Sequence, residues 1–260
     1  MLTKNDLKSI TRLTQKKYRE ETQRFLAEGG RLCEEAIQSG WAIEHLLYCP
    51  SFLHSLRARQ ALKLAQQKQL PVSEVAVDDF VGISDTMHSQ GLVAVVQRQA
   101  PQCDALEHLR QSPRCLLVAI EKLHDPGNLG TILRTADWLG VDGLIVGSHC
   151  VEVYNPKVVR ASMGSVFRLP IHEITDFAEL LRKFQLFGAV LYGADQSGDF
   201  PYTTLRFASK KVLVLGDEID GLSPGLKEII QHRVSIPRRG GGESLNVAIA
   251  AAILLSEMCR

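Results

Sequence analysis

"SIPRRGGGESLNVAIAAAILLSEM", Ser235 to Met258, sets three consecutive glycines and a small polar cluster between a short apolar run and an alanine-rich helix. A strand, a glycine-rich turn and a helix N-terminus together make a place for an anion or a polar cofactor, because unpaired main-chain N–H groups point at whatever sits there. Two familiar readings fail. A P-loop needs a Lys directly before its Ser or Thr, and here Glu243 precedes Ser244. A dinucleotide fingerprint needs G-x-G-x-x-G, but Leu245 stands where the third glycine belongs, and no strand follows the helix to carry an acidic ribose-binding residue. A flexible turn with an N-cap at Ser244 explains the helix start but not Asn246 inside its first turn.

Upstream, "CLLVAI" (Cys115–Ile120), "GLIVG" (Gly143–Gly147), "FGAVLYG" (Phe187–Gly193), "KVLVLG" (Lys211–Gly216) and "RVSIP" (Arg233–Pro237) are short apolar runs separated by helical patterns. Such alternation predicts an α/β fold with a parallel sheet buried on both faces. Ligands then bind beyond the strands' C-terminal ends, which singles out Glu121–Asn128, Gly193–Gly198, Gly216–Gly221 and Arg238–Asn246. The first 97 residues read as a smaller α/β unit. In it, "FLAEGGRLCEEAIQSG" gives a strand, a turn and a helix stopped by Gly40, and a further helix is expected over Leu53–Gln67. Residues 98–113, polar and bounded by prolines, read as a linker, leaving 114–260 as the second domain.

At 260 residues, 45% hydrophobic and 23% charged, the chain has the composition of a soluble globular protein with one or two cores. The net charge of +1 hides an uneven spread, for residues 1–31 carry eight Lys or Arg against four acids. A polyanion would suit that stretch, and so would a solvated charged helix. Six scattered cysteines without a C-x-x-C pair predict a reduced, cytoplasmic chain with no structural zinc. The eight histidines show no metal-ligand spacing and read as surface or structural residues, so no metal is expected. No apolar run approaches the ~20 residues needed to span a bilayer.

Two further loops carry candidate chemistry. In "EKLHDPGNLGTILRTADWLG", Asp125-Pro126-Gly127 turns the chain, Asn128 can cap the helix, and Arg134 follows six residues later. In "VLVLGDEIDGLSPG", Gly216, Glu218 and Gly221 follow a strand, where close main-chain approach to a ligand is natural. Taken singly, Asn128 reads as a cap, Arg134 as an ion-pair partner, and the acidic loop as an ordinary turn.

In this order, N-x-x-x-x-x-R, L-G-x-E-x-x-G-L and I-P-x-x-G-x-x-x-S-L-N-V resemble the three signature motifs of the SpoU (TrmH-like) RNA 2′-O-ribose methyltransferases of the SPOUT superfamily. "NPKVVRASMGSVFRLP" (Asn155–Pro170) extends the likeness. "YREETQRFLAEGGRLCEEAIQSG" and "HSQGLVAVV" resemble the family's ribosomal-protein-like substrate-binding domain. The resemblance implies a deep trefoil knot in the C-terminal domain, S-adenosylmethionine held in a bent form by the knot loops, and a homodimer through that domain. It implies cofactor contacts at Gly216, Ile236 and Leu245, and an activating role for Arg134, with Asn128, Glu218, Ser244 and Asn246 orienting Arg134, the ribose and the cofactor. A guanidinium is effectively always protonated, so stabilising a developing alkoxide or clamping a phosphate suits Arg134 better than acting as a base. Arg160 falls on a family arginine and is assigned to RNA phosphate, with a structural ion pair as the alternative. Arg24 and Arg31 in the basic stretch are likewise assigned to RNA. Where the family often has Met after Ile-Pro, this chain has Arg238 and Arg239. The expected activity is methylation of a ribose 2′-hydroxyl in structured RNA, ribosomal RNA ahead of transfer RNA. A non-catalytic RNA-binding or ribosome-assembly factor is the alternative, and methylation of a small molecule ranks last.

Overall fold

The computed structural model describes residues 2–100 and 104–260; Cys103, within the expected linker, lies outside them. In chain order the elements are α1 (Lys4–Thr11), α2 (Lys16–Thr22), β1 (Arg24–Glu28), α3 (Gly30–Ser39), β2 (Ile43–Tyr48), α4 (Leu56–Gln67), β3 (Val72–Glu74), α5 (Val77–Ile83), β4 (Leu92–Gln97), α6 (Ala105–Gln111), β5 (Cys115–Ile120), α7 (Pro126–Trp138), β6 (Gly143–Gly147), α8 (Pro156–Ser162), β7 (Ile171–Ile174), α9 (Phe177–Leu186), β8 (Val190–Ala194), β9 (Phe200–Pro201), β10 (Lys210–Leu215), α10 (Pro224–Ile229), β11 (His232–Ser235) and α11 (Val247–Met258). They gather into two compact units, Met1–Ala100 with Glu152–Arg168, and Pro101–Val151 with Leu169–Arg260.

The first unit holds a sheet of order β1-β4-β2-β3, with β4 antiparallel to both neighbours and β3 parallel to β2. Gly40 ends α3 in the left-handed region at φ +80°, which glycine adopts without a Cβ clash. Helix α4 starts at Leu56, later than the expected Leu53, because Ser55 caps it and Pro50–Phe52 forms a separate 3₁₀ turn. The basic N-terminal stretch is folded. Thr3 and Asp6 form a capping box on α1, and Ile10 and Leu13 sit in the core with Leu26, Phe80 and Val95. Arg19 is only 2% exposed: its guanidinium donates to both oxygens of Glu152, at 2.5 Å for the shortest bond, and to the Leu13 carbonyl at 2.7 Å.

Glu152 belongs to the 152–168 segment, which by sequence lies between β6 and β7. Its Tyr154 and Phe167 rings pack on Phe25 and Trp41, with Phe25 and Tyr154 centroids 4.8 Å apart, and Arg168 pairs with Glu35. The apolar content of this segment, including buried Val153, Val158 and Val159, explains why it joins the first unit.

In the second unit all seven strands are parallel, in the order β7-β6-β5-β10-β8-β11-β9. Central strands β5, β6 and β10 are apolar on both faces, as a sheet covered on two sides requires. One face packs Leu109 of α6, Phe177, Leu181 and Phe184 of α9 and Leu226 of α10 against Leu117, Ala119, Val212 and Val214. Helices α7 and α11 pack on each other, α7 also meeting β6 and α11 meeting β10. The expected linker thus includes a helix, α6, because Leu109 is fully buried. Edge strands β7 and β9 escape the apolar-run signal: "IHEI" is interrupted by two consecutive polar residues, and β9 is two residues long. From β11, residues 236–246 carry the chain back to α11 beside α7, the helix that follows β5.

Arg19→Met should lower stability by about 3 kcal/mol, since it leaves the Glu152 carboxylate buried without a counter-charge. The double variant Arg19→Met/Glu152→Leu should recover most of that loss in urea unfolding.

Candidate active site at the strand C-termini

A parallel sheet places the loops after β5, β8, β10 and β11 at one end. After β5, Asp125 caps α7, its Oδ1 accepting from the Asn128 main-chain N–H at 2.7 Å, and Pro126 occupies the first helical position. Asn128 is therefore not the cap, and its side chain is free to face neighbouring loops. Its Nδ2 donates to Glu218 Oε1 at 2.5 Å, and its Oδ1 accepts from Asn246 Nδ2 at 2.9 Å. Asn246 in turn caps α11, its Oδ1 accepting from the Ala248 and Ile249 N–H groups at 2.9 and 3.3 Å. Ser244 is exposed and is not the N-cap: the helix begins only at Val247, and Asn is as effective a cap as Ser. The direction of the chain follows from chemistry. An ionised Glu218 only accepts, so Asn128 turns its NH₂ to it and its oxygen to Asn246.

The loop carrying Glu218 is built by a residue that sequence reading passed over. Asp217 Oδ1 accepts from the Ile219 and Asp220 N–H groups at 2.8 and 3.0 Å, and Lys122 donates to Oδ2 at 2.9 Å. Those two N–H bonds and the Lys122 ammonium hold the Asp217 carboxyl down at about 2. Main-chain bonds in both directions between Asp217 and Gly221, at 2.8 and 3.0 Å, close the turn. They bring Gly221 so near Gly216 that a Cβ on Gly216 would stand 2.2 Å from the Gly221 oxygen. The turn alone thus demands Gly216. The available signal was the Asp-x-x-Asp-Gly order of "DEIDG", which is Asx-turn chemistry.

Arg134 is exposed on α7 and forms no hydrogen bond or ion pair among the described residues. Six residues beyond Asn128, it stands about 9 Å further along the helix and roughly a third of a turn around it. The structure joins Asn128, Glu218 and Asn246 to one another and leaves Arg134 apart from that chain. Ile236 is half-buried at the end of β11, and Leu245 is 52% exposed. The arginines assigned to RNA lie in the first unit. There Arg160 pairs with Asp85 at 2.8 Å, Arg24 pairs with Glu44 at 2.8 Å and also meets Ser9, and the Arg31 Nε is buried without a hydrogen-bond partner.

A sequence model of the SpoU rRNA Methylase family matches residues 115–256, and one of the MRM3-like substrate binding domain matches residues 4–94. The chain belongs to the SpoU rRNA methylase family. Among its relatives, a 23S rRNA (uridine(2479)-2'-O)-methyltransferase of Streptomyces viridochromogenes is 35% identical over 243 residues, covering 91% of this chain and 82% of the relative. The 23S rRNA (guanosine(2553)-2'-O)-methyltransferase RlmP of Bacillus subtilis is 29% identical over 249 residues, 96% of this chain and 94% of the relative. The crystal structure of an AdoMet-bound rRNA methyltransferase from Sinorhizobium meliloti superposes with a TM-score of 0.84 at 32% identity, covering 99% of this chain and 95% of that one.

Within this SpoU methylase domain, protonating Asp217 removes the acceptor that shapes the Glu218 turn. A depressed carboxyl stabilises the fold above its unfolded value and loses that contribution as pH falls toward its folded one. The turn should therefore loosen from pH 4 down to about 2. Carbon NMR of the Asp217 carboxyl should titrate near 2, and Lys122→Met should raise the midpoint.

Proposed function

We propose that this chain transfers the methyl group of S-adenosylmethionine to the 2′-hydroxyl of a ribose in structured RNA, with ribosomal RNA the substrate. The observation that carries the reading is the hydrogen-bonded chain Asn246–Asn128–Glu218, which ties all three motif loops together at the end of the sheet where ligands bind. The loop between β11 and α11 fits the cofactor. Among the described residues, no main-chain N–H of 237–245 finds a main-chain acceptor, and Leu245 offers exposed apolar surface beside them. Free N–H donors next to an apolar side chain suit an adenosine with a methionine arm. S-adenosylmethionine supplies an electrophilic methyl on a sulfonium. Methyl transfer to oxygen is an in-line displacement, so the protein's task is to orient the ribose and stabilise the charge that develops on its oxygen.

Arg134 is the group for that charge. Among the described residues its guanidinium has no partner to give up before it meets an alkoxide or the adjacent phosphate. Asn128, Glu218 and Asn246 tie the motif loops together, Ser244 is proposed to orient the ribose or the cofactor, and Gly216, Ile236 and Leu245 are the proposed cofactor contacts. Two copies of the chain are proposed to pair through α7 and α11. On these helices Trp138 is 88% and Ile249 50% exposed, Trp138 one turn beyond Arg134 and Ile249 in the first turn of α11. The path of residues 236–246, from β11 back across the sheet to α7, is read as the threaded segment of a trefoil knot. Arg160, Arg24 and Arg31 are the proposed phosphate contacts, the first two exchanging Asp85 and Glu44 for RNA. The cytoplasm, where ribosomal precursors are made in bacteria such as those of the relatives, is the proposed compartment; no helix among the described residues is long and apolar enough to cross a membrane.

The deciding experiment transfers labelled methyl groups from S-adenosylmethionine to total RNA from cells lacking this gene. Label in alkali-resistant dinucleotides is expected, with Arg134→Ala lowering kcat by about 10² to 10³ while cofactor binding persists. Cofactor binding without any label would favour an RNA-binding assembly factor, and label only in transfer RNA would change the substrate. Trp138→Glu should shift the sedimentation coefficient from dimer to monomer.

A further inference from the structure

At the opposite end of the same sheet, three donors of different chemistry converge. Cys115 is the first residue of β5, Asp142 directly precedes β6, and His108 lies on α6, the helix that packs Leu109 into the core. The Cys115 Sγ, a ring nitrogen of His108 and a carboxylate oxygen of Asp142 all lie within 4.8 Å of one another. Six residues of extended strand separate Cys115 from Glu121, so the cluster stands roughly 20 Å from the methyl-transfer loops.

Each donor is held ready. Asp142 is locked to the neighbouring strand, its main-chain N–H donating to the Leu116 carbonyl at 2.9 Å and its Oδ2 accepting from the Leu116 N–H at 2.8 Å. That leaves Oδ1 facing His108. The His108 Nε2 is shielded from solvent and approaches Oδ1 at 3.5 Å without forming a hydrogen bond. Cys115 is buried, and burial together with the adjoining Asp142 carboxylate pushes its thiol up to about 12. An ion pair between His108 and Asp142 would account for two of the three groups. The Cys115 thiol bonds to the same Asp142 carboxylate, which brings all three groups to one point, but neither contact accounts for an imidazole nitrogen shielded from solvent that reaches its neighbour without bonding to it.

We propose that His108, Cys115 and Asp142 form a binding site for a divalent transition-metal cation of the zinc class, clamping α6 to the starts of β5 and β6. A thiolate, an imidazole and a carboxylate form a donor set that zinc accepts, and the partly exposed His108 and Asp142 side chains leave a solvent-facing position for a water as the fourth ligand. A tetrahedral ion sets its donors roughly 3.5 Å apart, so three donor atoms within 4.8 Å of one another need only small side-chain movements to close on it. Binding replaces the S–H bond of Cys115 by an S–metal bond, and the proton leaves to solvent, so affinity rises with pH. Ligand spacing along the chain gave no hint of this site, because its residues come from three elements that only the sheet brings together.

The test is titration of the reduced full-length chain with Co²⁺, followed by absorbance and by proton release, with Zn²⁺ as competitor. One equivalent of cobalt should produce a thiolate-to-metal charge-transfer band and the visible bands of a tetrahedral site, both abolished by zinc. Cys115→Ser should remove the charge-transfer band. His108→Gln, on a partly exposed helix position that does not threaten folding, should weaken cobalt binding at least tenfold with an unchanged circular dichroism spectrum. A wild-type chain without the band overturns the proposal. So does a band that persists in Cys115→Ser, as adventitious binding by Cys103 or Cys259 would give, or cobalt affinity that is the same in His108→Gln.

Discussion

The side chain of Asn128 is the point on which the candidate site depends. One amide, with one donor end and one acceptor end, is bonded on both sides, to Glu218 after β10 and to Asn246 at the start of α11. Because Asp125 caps α7 in its place, Asn128 can reach outward from the helix. Because Asn246 caps α11 with its oxygen, its NH₂ is left for Asn128. Two helix starts and one acidic turn are thereby set against each other by hydrogen bonds whose direction cannot be reversed without leaving a carboxylate facing a carbonyl oxygen.

Below this constellation the sheet supplies rigidity and the loops supply access. The central strands have no exposed face, so their ends are fixed by packing on both sides, while the main-chain donors of the 238–245 loop find no main-chain acceptor among the described residues. Arg134 follows the same division: a helix anchored by buried Leu129, Ile132 and Leu133 carries a guanidinium that none of the described residues neutralises. Rigid support with an unsatisfied charge is the arrangement that electrostatic stabilisation of a reacting oxygen calls for.

The apolar runs announced the parallel sheet, since "CLLVAI", "GLIVG" and "KVLVLG" can hardly be anything but strands buried on both faces. Strands at the edge were harder to see, because β7 keeps His172 and Glu173 among its four residues and so lacks a continuous run. The motif residues Asn128, Glu218 and Asn246 could be named in advance, but not their mutual bonds, which depend on tertiary placement. Asp217 escaped for the opposite reason: its work is local turn chemistry, overshadowed by the neighbouring Glu218. The charge of the N-terminal stretch was visible, whereas the burial of Arg19 against a partner 133 residues away was not.

Residues 152–168 lie within the span matched by the methylase family but pack with the N-terminal unit. The boundary between the two units is thus crossed more than once by the chain, and neither unit is a contiguous cassette. Grafting a different N-terminal domain onto residues 101–260 would strand Tyr154, Phe167 and the Glu152 carboxylate without Phe25, Trp41 and Arg19. Any exchange of the N-terminal unit, by recombination or in the laboratory, must therefore replace this 17-residue insert at the same time. Inheritance of the substrate-binding-type domain and inheritance of the methylase domain are, in this chain, physically linked.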